Sequence, residues 1–311
     1  AAVSAANAGE LTVTGGVDMS WVSLQDDTTG NPLGMGSNLT FSGSGELDNG
    51  WGVALSIAHN NQDVYSATNV TVSIPALGDV LISHGVSGSG IDRMDDITPN
   101  VWEEAYATGL STGIQTIAGV SGSSNIEINP SAIMPEGLTA RLSISPNAGG
   151  TKSADKGVSG AGSAQKGAGY DATLVATDAI HGITGMTVSA GYSTIEQDAT
   201  YGNYNADAKD ETVAINYAIG AFTVGYQWSE KDLGLSTGAS KYTNDAYGVT
   251  FNVNDDLSIG YNHFESEQTN TTHVTAEATS VQVAYTMGGA SIRLAQASVD
   301  NAKYQTTAMY D

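Results

Sequence analysis

Apolar and polar residues alternate with a period of two along most of this chain. In the first such segment Leu11 and Val13 alternate with Thr12 and Thr14, and the alternation continues to Trp21. Successive side chains of a β-strand point to opposite faces, so this period indicates a strand and not a helix. The pattern returns in segment after segment to the end of the chain. The sequence therefore predicts an all-β protein.

Tight turn signals divide these segments into pairs. The strongest is Asp48-Asn49-Gly50, which is typical of a β-hairpin, and longer polar loops separate one pair from the next. Further turns are expected at residues 77–79, 134–137, 181–185, 220, 254–256 and 288–289. The hairpins contain about fifteen strands, with a last segment beginning near Ala308. Because closed barrels of this kind carry an even number of strands, we expect an antiparallel β-barrel of about 16 strands.

One stretch, residues 85–125, interrupts the repeat. It begins with Gly85-Val86-Ser87-Gly88-Ser89-Gly90, continues with charged residues and ends in a Gly/Ser/Thr-rich exit. A long loop within an otherwise regular chain is usually functional or disordered. We expect a functional loop, because large apolar residues that could anchor it are spread along it: Ile91, Met94, Val101, Trp102 and Tyr106.

The alternation indicates a sheet between lipid and water. A soluble β-sandwich also alternates, but it would not normally sustain so many strands with short turns at one end only. In hydrocarbon every backbone group must be paired, so a sheet can span a bilayer only as a closed barrel. Aromatic residues with the parity of the apolar face are expected to form a girdle at the headgroup level: Trp21, Trp51, Tyr192, Phe222, Trp228 and Tyr261.

Composition narrows the range of partners. The formal net charge is −23 with only ten Lys and Arg, so nucleic acid is not expected to bind. The chain has no Cys, and its five His have no metal-ligand spacing, so no cofactor or metal is predicted. Clustered oxygens at Asp26-Asp27 and Asn254-Asp255-Asp256 could bind Ca²⁺ loosely, although turns or solvated loops are the better interpretation. No arrangement of a catalytic nucleophile is recognisable, so an enzyme is not expected.

The first eight residues allow two interpretations. Ala6-Asn7-Ala8 fits the small-x-small pattern before a signal-peptidase cut, so residues 1–8 could be the remnant of an export signal. A flexible Ala-rich terminus would look the same. The whole chain, residues 1–311, is expected to form a single barrel domain.

The whole-chain hairpin pattern resembles a Gram-negative general diffusion porin of the alpha-proteobacterial type. The resemblance also covers residues 9–15, the turn Ala76-Leu77-Gly78-Asp79-Val80 and the acidic loop after the fifth strand. It implies a homotrimer of barrels in the bacterial outer membrane, in contact with the lipid bilayer and lipopolysaccharide. It also implies that residues 85–125 fold into the lumen as a constriction. Such barrels usually finish in a terminal aromatic strand, whereas this chain stops at Met309-Tyr310-Asp311, so we expect a truncated last strand.

The resemblance further implies acids on the loop facing bases on the barrel wall. The expected acidic side comprises Asp92, Asp95, Asp96, Glu103 and Glu104. The expected basic side comprises Arg141 and Arg293, whose strand parity is inward, with Arg93 as a weaker candidate. Inward-facing acids that could line the channel are Asp18, Glu127 and Asp171. With many acids and few bases, the lumen should prefer cations modestly.

The function expected from the sequence is a passive channel for small hydrophilic solutes and ions. An alternative is a porin selective for a sugar, a phosphate or an amino-acid-like solute, which would need an aromatic slide or a basic ladder that the inward positions do not clearly show. A structural or receptor-like surface barrel is a different class. An outer-membrane hydrolase is the least favoured.

Overall fold

The computed structural model describes residues 11–21, 33–47, 49–60, 67–148, 166–199, 203–269, 273–287 and 290–310. These residues form fifteen strands and one short α-helix, α1, at Asp178–His181. The strands are β1 Thr12–Trp21, β2 Leu33–Glu46, β3 Gly52–Asn60, β4 Ala67–Ile74, β5 Gly78–His84, β6 Ser124–Asn129, β7 Leu138–Ser145, β8 Lys166–Ala176, β9 Met186–Gln197, β10 Ala208–Ile219, β11 Phe222–Asp232, β12 Lys241–Asn252, β13 Leu257–Thr269, β14 Val274–Met287 and β15 Ala290–Asp300.

Each strand pairs antiparallel with its neighbours in sequence, so the strands follow one another in order through a single sheet. The predicted turns close these hairpins: Gly50 N–H bonds to Leu47 O at 2.8 Å, and Leu138 N–H bonds to Pro135 O at 3.1 Å. The predicted turn at residues 77–79 lies slightly earlier, since β5 begins at Gly78. Asp48 and the turn at residues 288–289 lie outside the described residues. The predicted all-β meander is confirmed.

The two faces of the sheet have inverted polarity. On β7 the side chain of Leu142 is 59% exposed, whereas the next residue, Ser143, is 4% exposed. On β14 Val281 is 58% exposed and Gln282 is fully buried. A soluble protein buries its apolar face instead. The apolar face of the sheet therefore points outward and its polar face inward, as the sequence predicts for a barrel in lipid.

The outward face carries the predicted aromatic residues. Trp51, Tyr192, Phe222 and Tyr261 are exposed there, and Trp228 is half-buried. The rings of neighbouring strands pack together, as Phe222 does with Phe251 at a centroid distance of 4.5 Å. The side chain of Trp21 lies outside the described residues. A location of these rings at the headgroup level remains a prediction.

Two ends of the sheet are defined by the described pairings. β1 pairs with β2, and β15 pairs with β14. Val299 in β15 also forms an antiparallel bridge with Tyr310, which lies beyond the end of that strand, with N···O distances of 2.8 and 3.0 Å. This bridge lies where the sequence predicts the start of a further strand near Ala308. The expected truncation of that strand remains a prediction.

No helix among the described residues is long and apolar enough to cross a membrane.

The loop between β5 and β6, residues 85–123, lies inside the barrel. We call it the constriction loop. It contains two short 3-10 helices, Gly90–Met94 and Ala105–Ala107, which pack against β7–β9 and β13–β15 respectively. The first helix and Ile117 form a small apolar core with Ile97 and Val175. A second core surrounds Ala105 and comprises Ala246, Phe264, Ala278, Val299 and Ala302. The second cluster includes inward side chains of β12–β15, so the dry interior lies between the constriction loop and the inner face of the sheet.

Candidate pore constriction

Three acids on the barrel wall hold the backbone of the constriction loop. Glu127 on β6 accepts the N–H of Gly90 at 2.8 Å. Asp171 on β8 accepts the N–H groups of Ile91 at 2.9 Å and Val120 at 3.1 Å. Asp210 on β10 accepts those of Ala118 at 2.9 Å and Gly119 at 2.8 Å. These bonds fix the two ends of the loop against β6–β10, because buried carboxylates and amides need each other as partners.

Amide side chains continue this attachment along the wall and donate to carbonyl groups of the loop. Asn216 donates to Ile97 O at 2.8 Å, and Asn244 donates to Gln115 O at 3.1 Å. Lys231 adds a bond from its Nζ to Thr116 O at 2.7 Å. The other amide bonds run from Gln227 to Met94 O and from Asn262 and Gln282 to Glu103 O. The loop is therefore attached to the inner face from β6 to β14.

Glycines on the wall let the loop approach closely. A Cβ atom at Gly248 on β12 would overlap the backbone of Pro99, and one at Gly225 on β11 would overlap its ring. A Cβ at Gly191 on β9 would lie 2.8 Å from Ile91 Cγ1. These distances are shorter than normal van der Waals contact, so only glycine leaves room for the loop at these positions.

The acids of the loop differ in their surroundings. Asp92 accepts the N–H of Gly88 and the hydroxyl of Ser121, both at 2.7 Å, and so braces the loop internally. Asp95 and Asp96 border a cavity of about 410 Å³ together with Ser87, Gly88, Asp92 and Arg93. Burial and the neighbouring acids Asp92 and Asp96 raise the pKa of Asp95 to about 8. Of the three acids Asp92, Asp95 and Asp96, only Asp96 is exposed, so it is the one most accessible to solutes.

Glu103 and Glu104 are adjacent but have opposite environments. Glu103 is exposed; partial burial and Asp96 raise its pKa, and the guanidinium of Arg293 opposes the shift. Glu104 is 2% exposed and accepts the N–H of Thr98 at 3.1 Å, together with its hydroxyl. Burial raises the pKa of Glu104 to about 8 despite these bonds. The structure thus places Glu104 inside the loop, which corrects the expectation that it faces the channel.

The basic residues lie at two places. Arg93 is on the loop itself and forms an ion pair with Glu127 at 2.7 Å, while Arg141 on β7 approaches the same carboxylate at 3.6 Å. Arg293 is exposed on β15. Residues 1–92, which include all of β1–β5, contain no Lys or Arg. The wall formed by β1–β5 therefore offers no positive side chain to the channel.

Two of the acids expected to line the channel lie beneath the loop. Glu127 and Asp171 are both 3% exposed, because the loop covers them and uses them as hydrogen-bond acceptors. The side chain of Asp18 lies outside the described residues. The sequence-based expectations did not include Asp210 or the amide side chains of the wall that bond the loop. Strand parity is the signal that could have identified them. Six such residues have inward parity on β10–β14: Asp210, Asn216, Gln227, Asn244, Asn262 and Gln282.

No group of three or more His, Asp or Glu side chains among the described residues is arranged to hold a metal ion.

The family of the chain follows from a comparison of its sequence with family models. The model described as Gram-negative porin matches residues 1–307, nearly the whole chain. This protein belongs to the Gram-negative porin family. No curated protein sequence matches it closely enough to be counted as a relative.

Solved porins share the fold of this porin. The OmpF porin of Salmonella typhi, solved in complex with daunomycin, aligns with a TM-score of 0.65 at 11% identity and covers 96% of this chain and 95% of its own. An anion-selective porin from Comamonas acidovorans gives 0.65 at 13% identity over 94% and 89%. A variant of the Rh. blastica porin gives 0.60 at 16% identity over 97% of both chains. At these identities the likeness shows the fold alone.

Family and fold together identify the cellular setting. Porins are passive channels of the bacterial outer membrane, and this chain has the inverted barrel that such a setting requires. A barrel of about 16 strands is too wide for side chains to fill, so it encloses an aqueous channel. The constriction loop inside the barrel narrows that channel.

Proposed function

We propose that this porin is a diffusion channel for small hydrophilic solutes and ions with a modest preference for cations. One observation supports the sign of the preference: acids on the constriction loop share the channel with a wall, β1–β5, that contains no Lys or Arg. Acidic linings with low-dielectric walls focus the field and enrich counter-ions.

Two features keep the preference modest. Arg293 faces Glu103, and Arg93 and Arg141 share Glu127, so basic groups offset part of the acidic charge. Burial and the neighbouring acids also raise the pKa of Asp95 to about 8, which reduces the negative charge that this acid contributes at neutral pH. Salt further weakens the field, because charges are screened over about 10 Å at 0.1 M ionic strength.

Reversal potentials in planar bilayers test the proposed preference. Under a KCl gradient, the wild-type channel should show a cation-selective potential that shrinks as salt is raised. Asp96→Asn should reduce it, whereas Asp255→Asn, the same charge change in an exposed turn, should not. A clearly anion-selective wild-type channel would overturn the proposed preference.

Liposome swelling tests whether small uncharged solutes pass. Sugars of increasing size should enter at decreasing rates, as expected of a sieve. If no sugar enters although ions conduct, a selective channel is favoured. If neither passes, the structural or receptor-like surface barrel is favoured.

We also propose that the functional unit is a homotrimer in contact with lipopolysaccharide. The family supports this assembly, and the apolar outer face of the barrel supplies a surface for both lipid and neighbouring protomers. Native mass spectrometry of the detergent-extracted protein should give three times the mass of one chain. A monomer under gentle extraction would contradict the trimer.

A further inference from the structure

We propose that Asp171 is the positioning residue that sets the place of the constriction loop in the channel. Its carboxylate joins the two branches of the loop at their base, where residue 91 begins the path across the channel and residue 120 ends it. The proposal is that this hydrogen-bond acceptor, buried on β8, determines how far the loop projects and how steadily it stays there.

The geometry places one oxygen between two backbone donors. Asp171 Oδ2 lies 2.9 Å from the N of Ile91 and 3.1 Å from the N of Val120, although these residues are 29 positions apart in sequence. The side chain is 3% exposed. Within the described residues, this single atom therefore receives hydrogen bonds from both the outgoing and the returning branch.

Two loop glycines make room for this carboxylate. Gly90 has φ = 61° and Gly119 has φ = 54°, and a Cβ atom at either position would overlap Asp171 Oδ2. Both residues therefore adopt a left-handed conformation that favours glycine and also leave space that only glycine provides. The loop backbone is shaped around the Asp171 side chain from both sides.

The neighbouring wall acids hold only one branch each. Glu127 bonds Gly90 on the outgoing branch and is shared with Arg93 and Arg141. Asp210 bonds Ala118 and Gly119 on the returning branch. Of these three carboxylates, only Asp171 bonds both branches. Asp92 and the bond from Gly122 N–H to Val86 O also join the two branches within the loop. Loss of the Asp171 acceptor should therefore loosen the joined branches from β8 and let the loop shift in the channel.

The experiment compares Asp171→Asn with Asp171→Ala in single-channel recordings. The N–H groups of Ile91 and Val120 both bond Oδ2 of Asp171. An asparagine at this position keeps one acceptor oxygen at the same distance from the backbone. We expect Asp171→Asn to conduct like the wild type. Asp171→Ala should show a changed mean conductance and about tenfold more frequent sub-conductance states, because two loop N–H groups lose their shared acceptor. Thr173→Ala, at the next inward position on β8, is the matched control and should behave as the wild type.

Several readouts separate loop positioning from barrel stability and from ion preference. Resistance of the barrel to thermal unfolding in detergent should be unchanged in Asp171→Asn and Thr173→Ala. If Asp171→Ala does not fold, Asp171→Thr tests the same loss with a strand-favouring residue that is too short to reach both donors. Reversal potentials report the proposed cation preference independently, so a failure of either proposal can be distinguished from a failure of the other.

Three results would overturn the proposal. Asp171→Ala could conduct as steadily as the wild type, which would show that the other wall contacts suffice. Asp171→Asn could behave like Asp171→Ala, which would show that charge and not the acceptor matters. Failure of both Asp171→Ala and Asp171→Thr to form barrels would assign Asp171 to barrel assembly.

Discussion

The carboxyl groups of Asp95 and Glu104 behave differently from the acids of an exposed surface. Each is largely buried and has other acids nearby, so desolvation and like charges favour its protonated form. In both cases the pKa is raised to about 8. At neutral pH the constriction loop therefore carries less negative charge than its composition suggests.

Ion preference should consequently depend on pH. As pH rises from about 6 to about 9, Asp95 and Glu104 lose protons, so the reversal potential should become more cation-selective. Glu104→Gln should remove part of this dependence, whereas Glu136→Gln, in an exposed turn, should leave it unchanged. A reversal potential that is flat over this range would contradict the raised pKa values.

The same raised pKa values affect how firmly the loop is held. The pKa of the Glu104 carboxyl is about 8 in the folded protein and 4.5 in the unfolded chain. Its contribution to the stability of the loop is therefore fully present below pH 4.5 and is lost as the pH rises through about 8. We expect backbone amides around Glu104 to exchange hydrogen faster, relative to the intrinsic rate, at about pH 9 than at about pH 6. Hydrogen exchange with mass spectrometry measures this, and Glu104→Gln should show a smaller difference between the two pH values, with the remainder due to Asp95. Equal protection of the wild type would contradict the expectation.

The sequence identifies the acidic residues of the constriction loop but does not predict which of them are buried. Asp92, Asp95, Asp96, Glu103 and Glu104 were identified as a group because they cluster in an irregular acidic loop. Glu103 and Glu104 are adjacent, and no periodic pattern says which of them is exposed. The contact between Glu104 and Thr98 depends on the turn that the loop makes between them, and this turn is fixed only by tertiary packing.

At the scale of elements, the constriction loop is held by the wall more than by its own structure. Its two 3-10 helices contain five and three residues. Such short helices are not stable alone. Acids on β6–β10 accept its N–H groups, amides on β10–β14 donate to its carbonyls, and wall glycines leave space for its backbone. The position of the loop is thus encoded largely in the strands.

A single methyl group on the wall should therefore displace the loop. Gly248→Ala would place a Cβ atom against the backbone of Pro99, so we expect a local shift of the loop, a cost of about 1–3 kcal/mol and an altered single-channel conductance. Gly52→Ala, at an inward position on β3, is the matched control, since a Cβ atom there would make only an ordinary van der Waals contact with Ser73 Cβ at 3.5 Å. Equal conductance of the two variants would show that the loop does not depend on this contact.

The strands could be predicted because alternation and turn chemistry are local. The β2–β3 turn at Gly50 and the β6–β7 turn at Pro135 both lie where the sequence indicates them. The path of the loop could not be predicted, because its partners are far away in sequence: Trp102 N–H bonds to Gln282 Oε1 at 3.0 Å. Inward parity identifies candidate partners on the wall but does not say which part of the loop reaches them.

At the scale of the whole molecule, solvent decides which face of the sheet is apolar. Exposed Leu and Ile side chains would be costly in water, yet they cover the outside of this barrel. Lipid removes that cost and adds the requirement that every strand be paired. The sequence could predict this arrangement, because fifteen alternating segments with no competing helical pattern leave few other solutions.

A charge on the lipid-facing side should therefore be more harmful than one on the lumen side. Leu142→Arg, in the middle of β7, should reduce the free energy of folding into a bilayer by about 2–4 kcal/mol. Thr71→Arg, at an inward position on β4, should have a much smaller effect on folding. Urea titrations of folding into lipid vesicles measure both. Equal destabilisation would contradict the assignment of the two faces.

The attachment of the constriction loop to one side of the barrel has an evolutionary consequence. The wall hydrogen bonds described for the loop end on β6–β14, so mutations there disturb the loop together with the passage. None of these described hydrogen bonds ends on β1–β5. A lineage under selection for the passage of different solutes can therefore gain or lose charge on β1–β5 without breaking the described bonds between the loop and β6–β14.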